Sequence, residues 1–149
     1  MSTSVNLDLD LAITPEGTIN LSSLEAPFVL FFYPKDNTPG CTTEAIGFSE
    51  ALDQFAAQGI KVFGVSKDPM KSHDKFVSKH ALTMPLISDE TTDLCERFGV
   101  WKEKSMYGKT YMGIERSTFF VRPDGEILHE WRKVKVPGHV EAVLEAVTA

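Results

Sequence analysis

The sequence predicts an α/β sandwich built on a mixed central sheet flanked by helices, with a β-hairpin at the amino terminus. Three observations carry that expectation. Residues 28–33, Phe-Val-Leu-Phe-Phe-Tyr, form a six-residue run that is apolar on both faces, as a central strand covered by helices must be. Extended and helical periods then alternate as far as residue 98, which implies parallel strands in one sheet. Finally, two extended segments flank Pro123-Asp124-Gly125 and a last helical period follows, adding an antiparallel hairpin to that sheet. The 149 residues, 42% apolar and 24% charged, fit an ordinary globular chain and one domain over residues 1–149. A chain this long buries roughly 68–70% of its unfolded surface. Its core therefore needs no disulfide or metal staple, and the two cysteines are available for chemistry.

Each element follows from local pattern. Residues 5–13 alternate apolar and polar, Pro15-Glu16-Gly17 is a turn signal, and residues 18–21 resume an extended pattern, which predicts the opening hairpin. The strand at 28–33 ends in the turn-formers of residues 34–40. Ala45, Phe48, Leu52, Phe55 and Ala56 recur at helical spacing and Gly59 supplies a stop, so a helix is expected from about residue 41 to residue 58. Residues 60–66 read as a second buried strand, Pro69 opens a helix carrying Phe76 and Val77, and residues 85–88 make a third strand. Asp89 caps a short helix through Phe98. Residues 117–122 and 126–133 are the arms of the later hairpin, and residues 138–147 the final helix. This order is the thioredoxin-like arrangement.

Charge and hydropathy exclude several classes. The longest strongly apolar run is the six residues at 28–33, against about 20 needed to cross a bilayer. No Lys or Arg precedes Lys35, whereas Asp8, Asp10, Glu16 and Glu25 do, so the start lacks the basic region of a signal peptide. A cytoplasmic or already processed chain with no membrane partner is expected. The net charge of −6 without a basic cluster argues against nucleic acid. His73, His80, His129 and His139 show no ligand spacing, so no metal is expected. Gly108-Lys109-Thr110 lacks the earlier glycine of a phosphate loop, position 103 being Glu103.

The chemistry points to Cys41. It lies where a buried strand has ended and a helix begins, after Thr38-Pro39-Gly40. Unpaired amides of a first helical turn and the helix dipole favour thiolate over thiol. Gly40 permits close approach of the backbone, Pro39 stiffens the turn, and Thr38 offers a hydroxyl three residues before the sulfur. A dithiol oxidoreductase would need a second cysteine at position 44, which is Glu44. Glu44, in the first turn of the helix, reads as a structural carboxylate or the partner of an Arg.

Pro34-Lys35-Asp36-Asn37-Thr38-Pro39-Gly40-Cys41 contains the Pro-x-x-x-Thr-x-x-Cys pattern of peroxiredoxins. Phe32-Tyr33-Pro34-Lys35, Thr38-Pro39-Gly40-Cys41-Thr42, Ile87-Ser88-Asp89-Glu90, Phe98-Gly99-Val100-Trp101, Tyr107-Gly108-Lys109-Thr110 and Gly113-Ile114-Glu115-Arg116-Ser117-Thr118-Phe119 extend the likeness over nearly all the chain after residue 27. The sequence thus resembles the PrxQ, or bacterioferritin-comigratory-protein, subfamily. That resemblance implies a thioredoxin-like fold and a thiol peroxidase acting on hydrogen peroxide and organic hydroperoxides, with Cys41 as peroxidatic cysteine. It implies Thr38 and Arg116 as donors to the peroxide and Pro34 as a wall shielding the sulfur. Taken alone, Arg116 reads as a solvated edge-strand residue paired with Glu115. No cofactor is implied. The expected partners are a peroxide and a thiol reductant, whether thioredoxin, glutaredoxin or glutathione, and the expected state is a monomer or weak dimer.

The sequence departs from the subfamily at the resolving thiol. Many relatives carry a cysteine five residues after the peroxidatic one, where this chain has Ile46, and others carry it where this chain has Val77. The remaining thiol, Cys95, sits beside Leu94 and Phe98 and reads as core. A one-cysteine cycle reduced by an external thiol is therefore expected. The alternatives are a cycle resolved by Cys95, or a peroxide sensor that forms a mixed disulfide with a partner.

Overall fold

The computed structural model describes residues 4–15 and 17–148. Among these, seven strands form one mixed sheet in the order β2-β1-β5-β4-β3-β8-β9. The strands are β1 (Leu11–Ile13), β2 (Thr18–Ile19), β3 (Phe28–Phe32), β4 (Lys61–Ser66), β5 (Leu86–Ser88), β8 (Ser117–Val121) and β9 (Ile127–Trp131). Strands β3, β4 and β5 run parallel, and β8 joins β3 antiparallel in the register Phe32 to Ser117. The helices are α1 (Pro39–Ala56), α2 (Met70–His80), α3 (Leu94–Arg97) and α4 (His139–Thr148). A separate hairpin pairs β6 (Trp101–Met106) with β7 (Lys109–Ile114).

The expected run at 28–33 is the centre of this sheet, and every residue of β3 is buried. Its side chains alternate between two cores, because successive residues of a strand face opposite ways. Phe28, Leu30 and Phe32 pack with Leu94, Cys95, Phe98 and Phe119. Val29, Phe31 and Tyr33 pack with Cys41, Phe48, Phe55, Phe76 and Val143. Helices α1, α2 and α4 therefore cover one face, with Phe31 stacked on Phe48 at 4.7 Å, while α3 and the amino-terminal segment cover the other. Each buried Phe removes enough apolar surface for about 1.5–3 kcal/mol, so the sheet is a rigid floor for what stands at its end.

Three expectations need correction. The opening hairpin is shorter than residues 5–13 and 18–21, reduced to Leu11–Ile13 against Thr18–Ile19, and Glu16 of its turn lies outside the described residues. Local bonds take the upstream amides instead: Asp8 N donates to Asn6 Oδ1 at 2.9 Å and Leu9 N to the Leu7 carbonyl at 2.9 Å, a competition short polar side chains offer the backbone. Helix α1 starts at Pro39, two residues before the expected start at Cys41, since Thr38 is the extended residue before it and Pro39 takes the first helical position, where its missing N–H costs nothing. The hairpin β6–β7 was not expected at all. Its turn, Tyr107-Gly108, has positive φ at both residues, 53° and 77°, the geometry of a two-residue primed turn.

Candidate active site

The first turn of α1 meets the start of β8 beyond the end of β3, and three side chains converge there. Cys41, on that first turn, is 1% exposed. Arg116, immediately before β8, donates from Nη2 to Cys41 Sγ at 3.2 Å and from Nη1 to Glu44 Oε1 at 2.7 Å. The guanidinium fork thus bridges the thiol and a buried carboxylate rather than pairing with Glu115, a span that its planar geometry suits and an ammonium would not. Gly40 leaves room for the approach, since a Cβ there would stand 3.1 Å from Arg116 Nη2, a tight contact. Burial opposes the charge on Arg116, but Cys41 and Glu44 outweigh it and hold the guanidinium more firmly protonated than usual.

Behind this pair the polar groups are under tension. Glu44 is fully buried; burial pushes its carboxyl up to about 7, against the pull of Arg116. Its second oxygen, Oε2, has no hydrogen-bond partner among the described residues. His139 Nε2 lies 3.9 Å from it but already bonds Thr118 Oγ1 at 2.7 Å. Burial and then Arg116 push His139 down to about 4, so the imidazole is neutral and gives Glu44 no ion pair. The sequence foresaw Glu44 as the partner of an Arg, but not this bare oxygen.

Thr38 and Pro34 stand differently from Arg116. The Thr38 hydroxyl makes no cap bond to the helix and donates instead to the Lys35 carbonyl at 3.0 Å. This corrects the expectation that Thr38 donates to the peroxide: with its proton given to Lys35, the oxygen has only lone pairs left to offer. Pro34 is exposed and lines a cavity of about 370 Å³ between the loop after β3 and the hairpin, with Lys35, Lys104 and Ile114 among its walls. Lys104 was missed by the sequence reading. It donates to the Ile114 carbonyl at 2.5 Å, and burial, then Arg116, lowers its ammonium against the opposing attraction of Cys41 and Glu115.

The loop that carries Thr38 is anchored by a buried network. Asp36 accepts from Tyr33 Oη at 2.6 Å and from Ser72 Oγ at 2.8 Å, and its Oδ2 lies 2.6 Å from His73 Nδ1. His73 Nε2 lies 3.0 Å from the Ile87 carbonyl, which only accepts, so Nε2 carries a proton. Asp36 N donates to Asp68 Oδ2 at 2.8 Å. Helix α2 and the end of β4 thereby fix the segment before the cysteine. Residues 36 and 73 lie too far apart in sequence for any local pattern to join them.

Cys95 is on the other side of the sheet. It is wholly buried in the core of Phe32, Phe98 and Phe119, and its amide donates to Asp89 Oδ2 at 2.7 Å. Burial first, then the Asp89 charge, pushes its thiol far above the ordinary range. Burial also raises Asp89, but bonds from Thr92 and from the Cys95 and Leu94 amides outweigh it and leave that carboxyl low; the N-cap of α3 is Asp93 rather than the expected Asp89, whose carboxylate reaches the first helical amides from four residues before that cap.

A buried cysteine under a guanidinium at a helix start, on a mixed sheet of this order, defines a thiol protein of the thioredoxin-like class. Comparison with known proteins makes this particular. Residues 6–130 match the AhpC/TSA family. Peroxiredoxin Bcp of Xanthomonas campestris is 54% identical over 121 residues, 81% of this chain and 76% of the relative. Peroxiredoxin Bcp of Bacillus subtilis is 46% identical over 141 residues, 94% of this chain and 90% of the relative. The solved structure of Xylella fastidiosa PrxQ superposes with a TM-score of 0.93 at 44% identity, covering 99% of this chain and 94% of that one. The bacterioferritin comigratory protein of Xanthomonas campestris, described for its alkyl peroxide reduction activity, gives 0.89 at 47% identity over 95% and 91% of the two chains. This chain belongs to the AhpC/TSA family and is a peroxiredoxin, a thiol-dependent peroxidase that works through a peroxidatic cysteine.

Proposed function

We propose that Cys41 is that peroxidatic cysteine and that it reduces hydrogen peroxide and organic hydroperoxides in a one-cysteine cycle. The observation that carries this reading is the 3.2 Å contact of Arg116 Nη2 with Cys41 Sγ, made on the first turn of α1. The thiolate attacks one peroxide oxygen, the S–O bond forms as the O–O bond breaks, and Cys41 becomes a sulfenic acid while hydroxide or alkoxide leaves. Arg116 holds sulfur and peroxide in line, and donors fixed where charge develops are worth on the order of 10²–10³ in rate each. Thr38, its proton given to Lys35, accepts the peroxide O–H. Pro34 lines the cavity between the loop after β3 and the β6–β7 hairpin. The alkyl peroxide chemistry described for the Xanthomonas relative supports extending the substrate class to organic hydroperoxides.

An external thiol, whether thioredoxin, glutaredoxin or glutathione, then reduces Cys41. Three positions support this. Ile46 and Val77 pack against the core that holds Cys41, and Cys95 lies in the opposite core. A Cys41–Cys95 disulfide needs Cα atoms within about 7 Å, so the sheet between them would have to open. We assign the protein to the cytoplasm as a monomer or weak dimer; among the described residues no helix is long and apolar enough to cross a membrane. The test is mass spectrometry after one equivalent of peroxide, followed by turnover with a thiol reductant. Oxygen gained at Cys41, loss of activity in Cys41→Ser and repeated turnover in Cys95→Ser are expected. Oxidation at Cys95 first would overturn the assignment, and arrest after one oxidation with all three reductants would make the protein a sensor.

A further inference from the structure

Arg116 is one cation between two groups that can each carry a negative charge, Cys41 and Glu44. Both are buried, and a buried charge is costly unless it is fully paired. The guanidinium can balance one of them. Glu44 shows which form the site favours beside a thiolate: Oε1 accepts from Arg116 at 2.7 Å, while Oε2 has no partner among the described residues. A proton on Oε2 removes the bare charge and leaves the Arg116 bond in place. Two other ionisable groups face the pair. His139, from α4, is neutral because burial and Arg116 hold it down to about 4. Lys104, from β6, is attracted by Cys41 but also by Glu115, is lowered by burial and Arg116, and gives its hydrogen bond to the Ile114 carbonyl, so Arg116 is the cation that touches both Cys41 and Glu44.

We propose that Glu44 and Cys41 share one proton across Arg116, so that Glu44 gives up its proton when Cys41 is oxidised. The inference rests on Cys41 being the peroxidatic cysteine. In the reduced protein the thiolate holds Arg116 and Glu44 is protonated. As the sulfur bonds oxygen it loses its charge, because a sulfenic acid is neutral. Glu44 is then the remaining anion for Arg116 and releases its proton. The leaving hydroxide or alkoxide takes one proton to become water or alcohol. The balance is thiolate plus protonated Glu44 plus hydroperoxide giving sulfenic acid plus ionised Glu44 plus alcohol, with sulfur oxidised by the two electrons that the O–O bond accepts. The release is feasible near neutrality because burial brings the Glu44 carboxyl to about 7. Glu44 touches no reacting atom and is a positioning residue, acting through Arg116.

The experiment is infrared difference spectroscopy of the whole protein, reduced minus oxidised by one equivalent of peroxide, somewhat above the Glu44 midpoint of about 7 that burial and Arg116 set without a charge on the sulfur. Proton uptake is followed by an indicator dye in weak buffer, and mass spectrometry establishes where oxygen is gained. Loss of a protonated-carboxyl C=O band on oxidation is expected, with little net proton uptake. In Glu44→Gln that band change is absent and one proton is taken from solvent per Cys41 oxidised. Should Glu44→Gln fail to fold, the wild-type band and proton count decide alone. Oxidation of Cys41 with the carboxyl band unchanged, or with a full proton taken up by wild type, overturns the inference while leaving Cys41 as nucleophile. Absence of oxygen at Cys41 overturns the underlying assignment instead.

Discussion

Arg116 holds Cys41 Sγ at 3.2 Å with one terminal nitrogen and Glu44 Oε1 at 2.7 Å with the other. Two residues on α1, three apart and so on one helical face, are thereby tied to the strand that lies beside β3. A single bent or shortened cation cannot satisfy both at once. The position of the sulfur relative to an incoming peroxide consequently depends on the guanidinium plane.

Arg116→Lys should therefore keep the fold and the net charge but slow the peroxide step on the order of 10²–10³-fold, the usual cost of losing a preorganised donor. Single-turnover stopped-flow with excess peroxide measures it. An unchanged rate would show that charge alone suffices at this site.

Thr38→Val is nearly isosteric and tests the hydroxyl. In the resting protein Thr38 Oγ1 donates to the Lys35 carbonyl, so the variant loses both that bond and the acceptor for the peroxide proton. We expect a stability loss of about 1 kcal/mol and a much larger loss in the peroxide rate. Equal, small losses in both measurements would reduce Thr38 to a turn residue.

Glu44 and His139 predict opposed pH dependences of stability. Glu44 is raised from 4.5 to about 7 in the folded protein, so between those values the folded state holds a proton that the unfolded chain has released, and stability falls as pH rises. His139 is lowered from 6.5 to about 4, so there the unfolded chain holds the extra proton, and stability is lost as pH falls. Each slope integrates to about 3 kcal/mol, and over their shared interval they nearly cancel. Wild type should thus be almost level from about pH 4.5 to about pH 6.5, Glu44→Gln should gain stability with rising pH, and His139→Gln should lose it. Urea midpoints across that range decide the matter; parallel profiles for all three proteins would contradict both signs.

The Asp36–His73 pair, 2.6 Å apart and buried, anchors the loop before Cys41 to α2. Removing His73 leaves Asp36 with Tyr33 Oη and Ser72 Oγ as its remaining side-chain donors, and the loss of one buried hydrogen-bond partner costs about 1–3 kcal/mol. His73→Phe should cost about that much, and adding Asp36→Asn should recover part of it, since the amide has no charge to leave bare. A double-mutant cycle in urea measures the coupling. Additive losses would mean that the two residues act independently.

What the sequence could reveal depended on burial and on range. The strand β3 was legible because burial on both faces leaves an unbroken apolar run, and Cys41 was legible because Thr38, Pro39 and Gly40 write a helix start beside it. The hairpin β6–β7 was not, because Lys102, Glu103, Tyr107 and residues 109–112 are all exposed, so no alternation betrays a buried face, and Tyr107-Gly108 lacks the Asn or Asp that marks a primed turn. Lys104 went unseen with it. The Asp36–His73 contact and the lone Oε2 of Glu44 are tertiary facts: each depends on what a distant element leaves beside it, and no local period encodes that.

The last prediction concerns how the oxidised cysteine is returned to thiolate. Residues five apart on a helix are separated by roughly 140° in rotation, so a thiol at position 46 reaches Cys41 only if the first turns of α1 unwind. Ile46 gives no reason to unwind, since it packs against the core that holds Cys41, Phe48 and Phe76. The sulfenic acid therefore waits in place for an external thiol, and excess peroxide should carry Cys41 on to sulfinic acid. Ile46→Cys should form an internal disulfide with Cys41, suppress that overoxidation and raise turnover with thioredoxin, at a stability cost of about 1 kcal/mol for the lost packing. The product is identified by mass spectrometry of tryptic fragments after graded peroxide. Cys95→Ser is the control, because Cys95 lies in the opposite core with Phe32 and Phe119. Near-normal recycling in Cys95→Ser is the expected result. Loss of recycling with the first oxidation of Cys41 intact would instead require the sheet to open during every cycle and would make Cys95 the resolving thiol.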